Sequence, residues 1–168
     1  MPDKKITFID LFSGAGGLTK GLEMAGLNCS GAMDYDNACQ TTHKRNFPEC
    51  PFYCGSIKNI NPINFAKFIG SKKVDVIAGG PPCPTFSNIG RAKIKSIAGK
   101  KGLEEDERNF LFRDFFRYVD FFKPKLLLIE NVPGFMTRYE GKILNKTKKC
   151  IEKLGFNFDV KILNAADF

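Results

Sequence analysis

Cys83 is the residue whose surroundings most favour covalent chemistry. It follows Pro81 and Pro82, which come shortly after the apolar run at residues 74–78. Proline rings fix the backbone, so the turn holds the cysteine side chain out of the core. A thiolate in such a place can act as a nucleophile, whereas a structural cysteine rarely needs a rigid turn. Proline-rich turns are common, however, and the pattern alone leaves both roles open.

Glu130 is the second candidate for chemistry, because it ends the apolar run at residues 125–129. A carboxylate at the end of a buried strand is costly unless it is used or paired. It can therefore serve a reaction, with Asn131 beside it, or form an ion pair with a nearby arginine.

A glycine turn, Gly14-Ala15-Gly16-Gly17, follows the first predicted strand and leads into a helix. Glycines let the backbone approach a ligand closely. Thr19 stands where the dinucleotide-binding fingerprint needs its last glycine, which weakens that interpretation. The alternative is a tight strand-to-helix turn without a ligand.

Asp34 lies 20 residues after Gly14, at the end of the next predicted strand. A carboxylate there can accept hydrogen bonds from both ribose hydroxyls, and Tyr35 can stack on an adenine ring. The alternative is that Asp34 caps the helix that begins at Asn37.

A long glycine-rich and proline-rich stretch over residues 80–103 contains no acidic residue. Its polar and basic side chains can close over a phosphate backbone, or can simply be solvated. The candidates for contact with nucleic acid are Ser87, Arg91, Lys93 and Lys95.

The net charge is +8, from 26 Lys and Arg against 18 Asp and Glu, which favours a polyanionic partner without naming it. The six cysteines include no CxxC pair, and His43 is the one histidine, so neither a metal site nor disulfides are expected. The sequence has no apolar run of the roughly 20 residues that a membrane span needs. We expect a soluble, cytoplasmic protein with no membrane contact.

The alternation of short apolar runs with amphipathic segments predicts an α/β fold, with a doubly wound, mostly parallel sheet. One helix should bury an apolar face formed by Phe112, Phe115, Phe116, Val119 and Phe122. The predicted strands are 5–10, 28–33, 51–54, 74–78, 125–129 and 156–163, and the predicted helices are 18–25, 37–46, 62–69, 107–122 and 141–154. Ligands of such sheets bind outside the carboxyl ends of the strands, where all the candidates above are expected.

Three motifs in order, DLFSGAGGL (10–18), GGPPCPTFS (79–87) and ENVPGF (130–135), resemble the cytosine C5 methyltransferase family. The resemblance implies a Rossmann-like fold, S-adenosylmethionine as methyl donor, S-adenosylhomocysteine as product and DNA as substrate. It implies Cys83 as the nucleophile, Glu130 at cytosine N3 and Asn131 as an orienting residue. The cofactor residues that it implies are Phe12, Ser13, Gly14, Gly16, Gly17, Leu18, Asp34, Tyr35, Ser56, Ile57, Pro82, Asn109 and Leu111.

The chain departs from the family's pattern in three respects. Ser56 stands where the family often has aspartate, which puts the adenine contact in doubt, and Pro84 stands where it often has glutamine. The later Arg-rich motif and the target-recognition region have no counterpart, so we expect one incomplete catalytic domain over residues 1–168. A second polypeptide can supply the rest. Two alternatives stay open: methylation of a tRNA cytosine, and a cofactor-binding subunit that is inactive alone.

Overall fold

The fold is an α/β arrangement in a computed structural model that describes residues 5–82, 111–137 and 141–167. These residues group into two compact units by their contacts. Of the described residues, 5–82 and 111–130 belong to the first unit, and 131–137 and 141–167 belong to the second. The prediction of a single domain over the whole chain stays a prediction.

The first unit is built on a five-stranded parallel sheet in the order β3-β2-β1-β4-β5. Its strands are β1 (Thr7–Leu11), β2 (Asn28–Asp34), β3 (Phe52–Cys54), β4 (Val76–Gly79) and β5 (Leu126–Ile129). The chain moves outward from β1 to β3 on one side, and then returns to place β4 on the other side of β1. The order therefore reverses between β1 and β4, and this is where ligands of open parallel sheets bind.

Helices connect the strands of the first unit: α1 (Gly17–Met24), α2 (Asn37–Asn46), α3 (Pro62–Phe68) and α4 (Leu111–Phe122). Asp36 caps α2 and Asn61 caps α3, each accepting a hydrogen bond from a backbone N–H in the first turn. Helix α4 buries Phe115, Val119 and Phe122 as predicted, together with Leu111 and Tyr118, whereas Phe112 and Phe116 are only half-buried. The predicted fold class is confirmed.

The second unit contains α5 (Gly134–Thr137), α6 (Lys142–Lys153) and a 3₁₀ turn at Ala165–Asp167. The prediction of a strand at residues 156–163 is wrong, because this segment carries no strand. Its alternating pattern is typical of a strand, but pairing needs a neighbouring ladder, and Val160, Ile162 and Leu163 are exposed instead. None of the helices among the described residues is both long and apolar enough to cross a membrane.

Cys29 and Cys50 form a disulfide, so the expectation of no disulfides is wrong for this pair. Their Cα atoms are 5.4 Å apart, within the range that a disulfide spans. The start of β2 and the segment after α2 lie side by side in the fold. The two cysteines are 21 residues apart in the sequence, and this separation does not indicate that they are neighbours.

Gly79 gives the first testable prediction, because an added Cβ would overlap the carbonyl oxygen of Leu11 on the adjacent strand. The ring of Phe115 lies 3.0 Å from the same point, so neither side can yield easily. We expect Gly79→Ala to lower the free energy of unfolding by about 2 kcal/mol in urea titrations.

Gly21→Ala is the matched control, since Gly21 lies within α1 with nothing within 4 Å of an added Cβ. It should raise stability by about 0.5 kcal/mol, because alanine loses less conformational entropy in a helix. Equal effects of the two substitutions would contradict the close approach of β4 to β1.

Candidate functional site

The glycine turn after β1 exposes backbone at the reversal point of the sheet. Phe12, Gly14 and Gly16 have φ values of 64°, 55° and 98°, in the left-handed region that favours glycine. An added Cβ on Gly14 or Gly17 would meet none of the described residues within 4 Å, so as far as these residues go, open space lies over both. The turn thus offers a backbone surface that a ligand can approach.

Asp10 holds the turn in place from its buried side. Its side chain is 0% exposed, and its Oδ2 accepts hydrogen bonds from the Thr19 backbone N–H (3.0 Å) and the Thr19 hydroxyl (2.7 Å). These bonds join the end of β1 to the first turn of α1, whose N-cap Gly16 has no side chain to cap it. Thr19 stands where the dinucleotide fingerprint has a glycine, and its hydroxyl makes a hydrogen bond to Asp10 that a glycine could not make.

His43 extends this buried network from α2. Its Nε2 lies 3.3 Å from the Thr19 hydroxyl oxygen, and its ring packs on Phe47 and Phe52 with centroids 4.8 Å away. The hydroxyl proton goes to Asp10, so we assign His43 Nε2 as a donor to Thr19. Burial lowers the pKa of His43, which favours this neutral form.

Helix α2 and the residue after it also support the turn directly, since an added Cβ on Gly16 would overlap the ring of Phe47. Among the described residues, Asp10 Oδ1 and His43 Nδ1 have no hydrogen-bond partner. From the sequence, His43 is expected only as a candidate metal ligand, and its contact with Thr19 is not predicted. The signal that could have found it is a lone histidine on the helix that follows the Asp34 strand.

Burial raises the pKa of Asp10 to about 6, although the bonds from Thr19 oppose the rise. The folded state thus binds this proton more tightly than the unfolded chain, whose aspartates titrate near pH 4. The stabilising contribution is complete below about pH 4 and is lost as the pH rises through about 6. From pH 4.5 to 7.5, we expect Asp10 to reduce the free energy of unfolding by about 2 kcal/mol.

Asp10→Asn should remove this pH dependence in denaturant titrations at the two pH values. The control is Asp75→Asn, because a hydrogen bond from Lys125 helps to hold the pKa of Asp75 near 2. The stabilisation from Asp75 is lost only as the pH falls below about 4, outside the chosen window. An unchanged slope in Asp10→Asn would show that Asp10 ionises normally in the folded protein.

Asp34 faces the glycine turn from the end of β2. Its Oδ2 accepts from Gly14 N (2.9 Å) and its Oδ1 accepts from Asp36 N (3.1 Å). The helix cap is Asp36, which accepts from Ala38 N (2.8 Å), so the alternative role of Asp34 as the cap is wrong. Tyr35, beside it, is 74% exposed.

Ser56 and Ile57 follow β3 at the same edge of the sheet. Gly55 N donates to the Asp34 carbonyl (2.8 Å), which joins this segment to the end of β2. Ser56 Oγ accepts from Lys58 N (3.3 Å), while Ile57 is buried. Arg117 of α4 donates to the Ile57 carbonyl (3.2 Å) and so fixes the loop.

Glu130 meets the end of β4 on the other side of the reversal point. Its backbone N–H donates to the Gly79 carbonyl (3.1 Å), and its Oε2 lies 3.1 Å from where a Cβ on Gly80 would be. Gly80 thus leaves room for the Glu130 carboxylate. The expectation that Glu130 ends a buried strand is wrong, because Leu126 and Leu128 of β5 and Glu130 itself are exposed. No arginine pairs with Glu130 within residues 5–82, 111–137 and 141–167, so the ion-pair alternative finds no support there.

Several predicted site residues lie outside the described residues. Pro82 is the last residue described before a gap at residues 83–110, and Leu111 is the first after it and is buried. Asn131 belongs to the second unit, where its side-chain oxygen accepts from Val132 N (3.0 Å). Inside the gap are Cys83, Ser87, Arg91, Lys93, Lys95 and Asn109.

Over the described part of the chain, no group of three or more His, Cys, Asp or Glu side chains could hold a metal ion. The polar groups gather instead around the glycine turn and at the ends of β4 and β5. The first set can accept hydrogen bonds from a ligand's hydroxyl groups, and the second presents the Glu130 carboxylate beside Gly80.

Comparisons with known proteins bear on both sets of residues. Residues 6–168 match the model of the C-5 cytosine-specific DNA methylase family. The Type II methyltransferase M1.HphI of Haemophilus parahaemolyticus is 36% identical over 165 residues, 97% of this chain and 42% of that protein. M.AquIA of Picosynechococcus sp. is 34% identical over 176 residues, 99% of this chain and 66% of that protein.

Among solved structures, a candidate DNA modification methyltransferase encoded within a prophage (E. coli) superimposes with a TM-score of 0.71 and 32% identity. The match covers 89% of this chain and 38% of that one. The chain thus spans less than half the length of M1.HphI and of this structural relative.

Proposed function

Since the chain belongs to the C-5 cytosine-specific DNA methylase family, we propose that it forms the cofactor-binding and nucleophile-bearing part of a DNA cytosine-5 methyltransferase. The observation that carries the proposal is the alignment of strand ends. Leu11 of β1 pairs in register with Gly79 of β4, so the glycine turn and the segment Gly80–Pro82 leave the sheet side by side. A methyl donor and a nucleophile must be neighbours for this reaction.

The residues around the glycine turn fit S-adenosylmethionine. Open space lies over Gly14 and Gly17, the Asp34 carboxylate is suited to ribose hydroxyls, and the exposed Tyr35 ring is suited to adenine. When bound, this cofactor supplies an electrophilic methyl group and leaves as S-adenosylhomocysteine. The other residues that we propose to hold it are Phe12, Ser13, Gly16, Leu18, Ser56, Ile57, Pro82, Asn109 and Leu111.

Cytosine C5 is a poor nucleophile, and we propose that Cys83 activates it by adding to C6. A carbon–sulfur bond forms, the C5–C6 double bond is lost, and its electron pair becomes available at C5. Glu130 hydrogen-bonds or protonates N3 and so stabilises the negative charge that develops in the ring. Asn131 orients the site. After methylation, loss of the C5 proton lets Cys83 leave by elimination.

DNA is the proposed substrate, in keeping with the description of the family as C-5 cytosine-specific DNA methylases and of the structural relative as a DNA modification methyltransferase. Cytosine C6 is hidden within a stacked duplex, so the base must be flipped out before Cys83 can reach it. Ser87, Arg91, Lys93 and Lys95 are proposed to contact the phosphate backbone around the flipped base. Because the chain spans 42% of M1.HphI, a further polypeptide segment, in the same chain or a second one, is proposed to supply target recognition.

Calorimetry with S-adenosylmethionine and covalent trapping on duplex DNA that contains 5-fluorocytosine test the proposal together. We expect the chain to bind the cofactor, and to form a trapped adduct once a candidate C-terminal chain is added. Trapping by the chain alone would show that it needs no completion. If the chain binds the cofactor but forms no adduct, either alone or with the C-terminal chain, the catalytic proposal is refuted. The remaining interpretation is then a cofactor-binding subunit.

A further inference from the structure

Helix α6 carries a line of three lysines, Lys146, Lys149 and Lys153, which we call the lysine stripe. All three are exposed. Their spacing of three and four residues sets them within about 60° of one another around the helix. The opposite face holds the buried Thr147 and Ile151, so the stripe points away from the apolar side of its own helix.

Neighbouring acidic groups do not neutralise this stripe. The one acidic residue within α6, Glu152, pairs with Lys148 at 3.7 Å, on a different side of the helix. Over the part of the chain that the structure describes, no ion pair involves Lys146, Lys149 or Lys153. Like charges at these spacings repel, so the arrangement costs the isolated helix stability.

Helix electrostatics account for only part of the stripe. Lys153 lies in the last turn, where a cation interacts favourably with the helix dipole. Lys146 lies more than a turn away from that end, where the dipole gives little benefit, because its effect is confined to the terminal turns. An external polyanion explains all three positions.

We propose that the lysine stripe binds the phosphate backbone of duplex nucleic acid, independently of base sequence. It spans about 10 Å along the helix axis, a length over which duplex DNA carries about six phosphate charges. Each lysine can thus contact a separate phosphate as a point charge, without reading a base edge. The choice of DNA as the polyanion rests on the proposed function.

The test is the salt dependence of binding to a non-specific 30-base-pair duplex, measured by fluorescence anisotropy with the full chain. The triple variant K146Q/K149Q/K153Q removes the stripe, and glutamine keeps the helix propensity of lysine. The slope of log K against log salt is negative, and each lost phosphate contact reduces its magnitude by about 0.9. We expect the magnitude to fall by about 2.7 for three contacts, with the helical circular dichroism unchanged.

The matched control is K67Q/K72Q/K73Q, which removes the same charge from exposed lysines at and after α3. The magnitude of its salt-dependence slope should fall by less than about 1. The proposal is overturned if the stripe variant keeps the wild-type slope, if the control loses as much, or if the wild-type chain does not bind DNA at low salt. Failure of the proposed function is distinguishable, because it appears as absent trapping by a chain that still binds DNA.

Discussion

Replacing Cys83 with serine is expected to reduce methyl transfer by at least about 1,000-fold in a complete, active assembly. A serine hydroxyl has nearly the same size, but it is far less nucleophilic than a thiolate and has no base assigned to activate it. The affinity for S-adenosylmethionine should stay within about twofold of the wild type, since the Cys83 thiol is not among the proposed cofactor contacts. The measurements are incorporation of labelled methyl groups into DNA and calorimetry of cofactor binding.

Cys150→Ser is the control, because Cys150 is a free, exposed cysteine on α6. It should methylate DNA at the wild-type rate. If Cys83→Ser retains more than about a tenth of the activity, Cys83 is not the nucleophile and the proposed mechanism fails. A similar loss in both variants would indicate a general sensitivity to thiol replacement.

Asp34→Asn is expected to weaken binding of S-adenosylmethionine by about 10-fold to 100-fold. The carboxylate has two acceptor oxygens, each of which accepts one backbone N–H and keeps a further lone pair for a ligand. The amide has one acceptor oxygen and turns an NH₂ group toward one of those donors. Hydrogen bonds that involve a charged group contribute about 1.5–3 kcal/mol, which corresponds to the expected loss.

Asp36→Asn provides the comparison, with the same loss of charge two residues away. Asparagine caps helices as well as aspartate, so α2 should persist. Calorimetry should then give a dissociation constant within about twofold of the wild type. Equal weakening by the two substitutions would indicate that the general negative potential of this sheet edge favours binding. It would refute the proposed contact between Asp34 and the ribose.

Local patterns predicted most of the first unit. Helix α2 has the predicted bounds, Asn37–Asn46, because its cap, Asp36, and the proline at position 48 flank it directly in the sequence. The run at residues 156–163 has a strand pattern as clear as others in the chain, yet it carries no strand, since a pattern cannot supply a partner strand. Burial periodicity thus indicates which residues can pair, and tertiary structure decides whether they do.

Part of the candidate site was likewise predictable from local patterns, and part depends on tertiary structure. Motifs at strand ends predicted Asp34, Tyr35 and Glu130 because parallel strands bring their carboxyl ends to one edge. The contact of His43 with Thr19 joins residues 24 apart through side chains, and no local pattern encodes that distance. The room that Gly80 leaves for Glu130 is also a tertiary relation, visible only when β4 and β5 are adjacent.

The strand order also bears on how the first unit assembles. Phe8 of β1 pairs with Cys29 on β2, 21 residues away, and with Val76 on β4, 68 residues away. Closing the longer loop costs about 1 kcal/mol more in chain entropy. The half with the glycine turn and Asp34 can therefore form first from nearby segments. We therefore expect β4 and β5 to join this preformed edge afterwards, so that the residues proposed to hold the cofactor become ordered before Glu130.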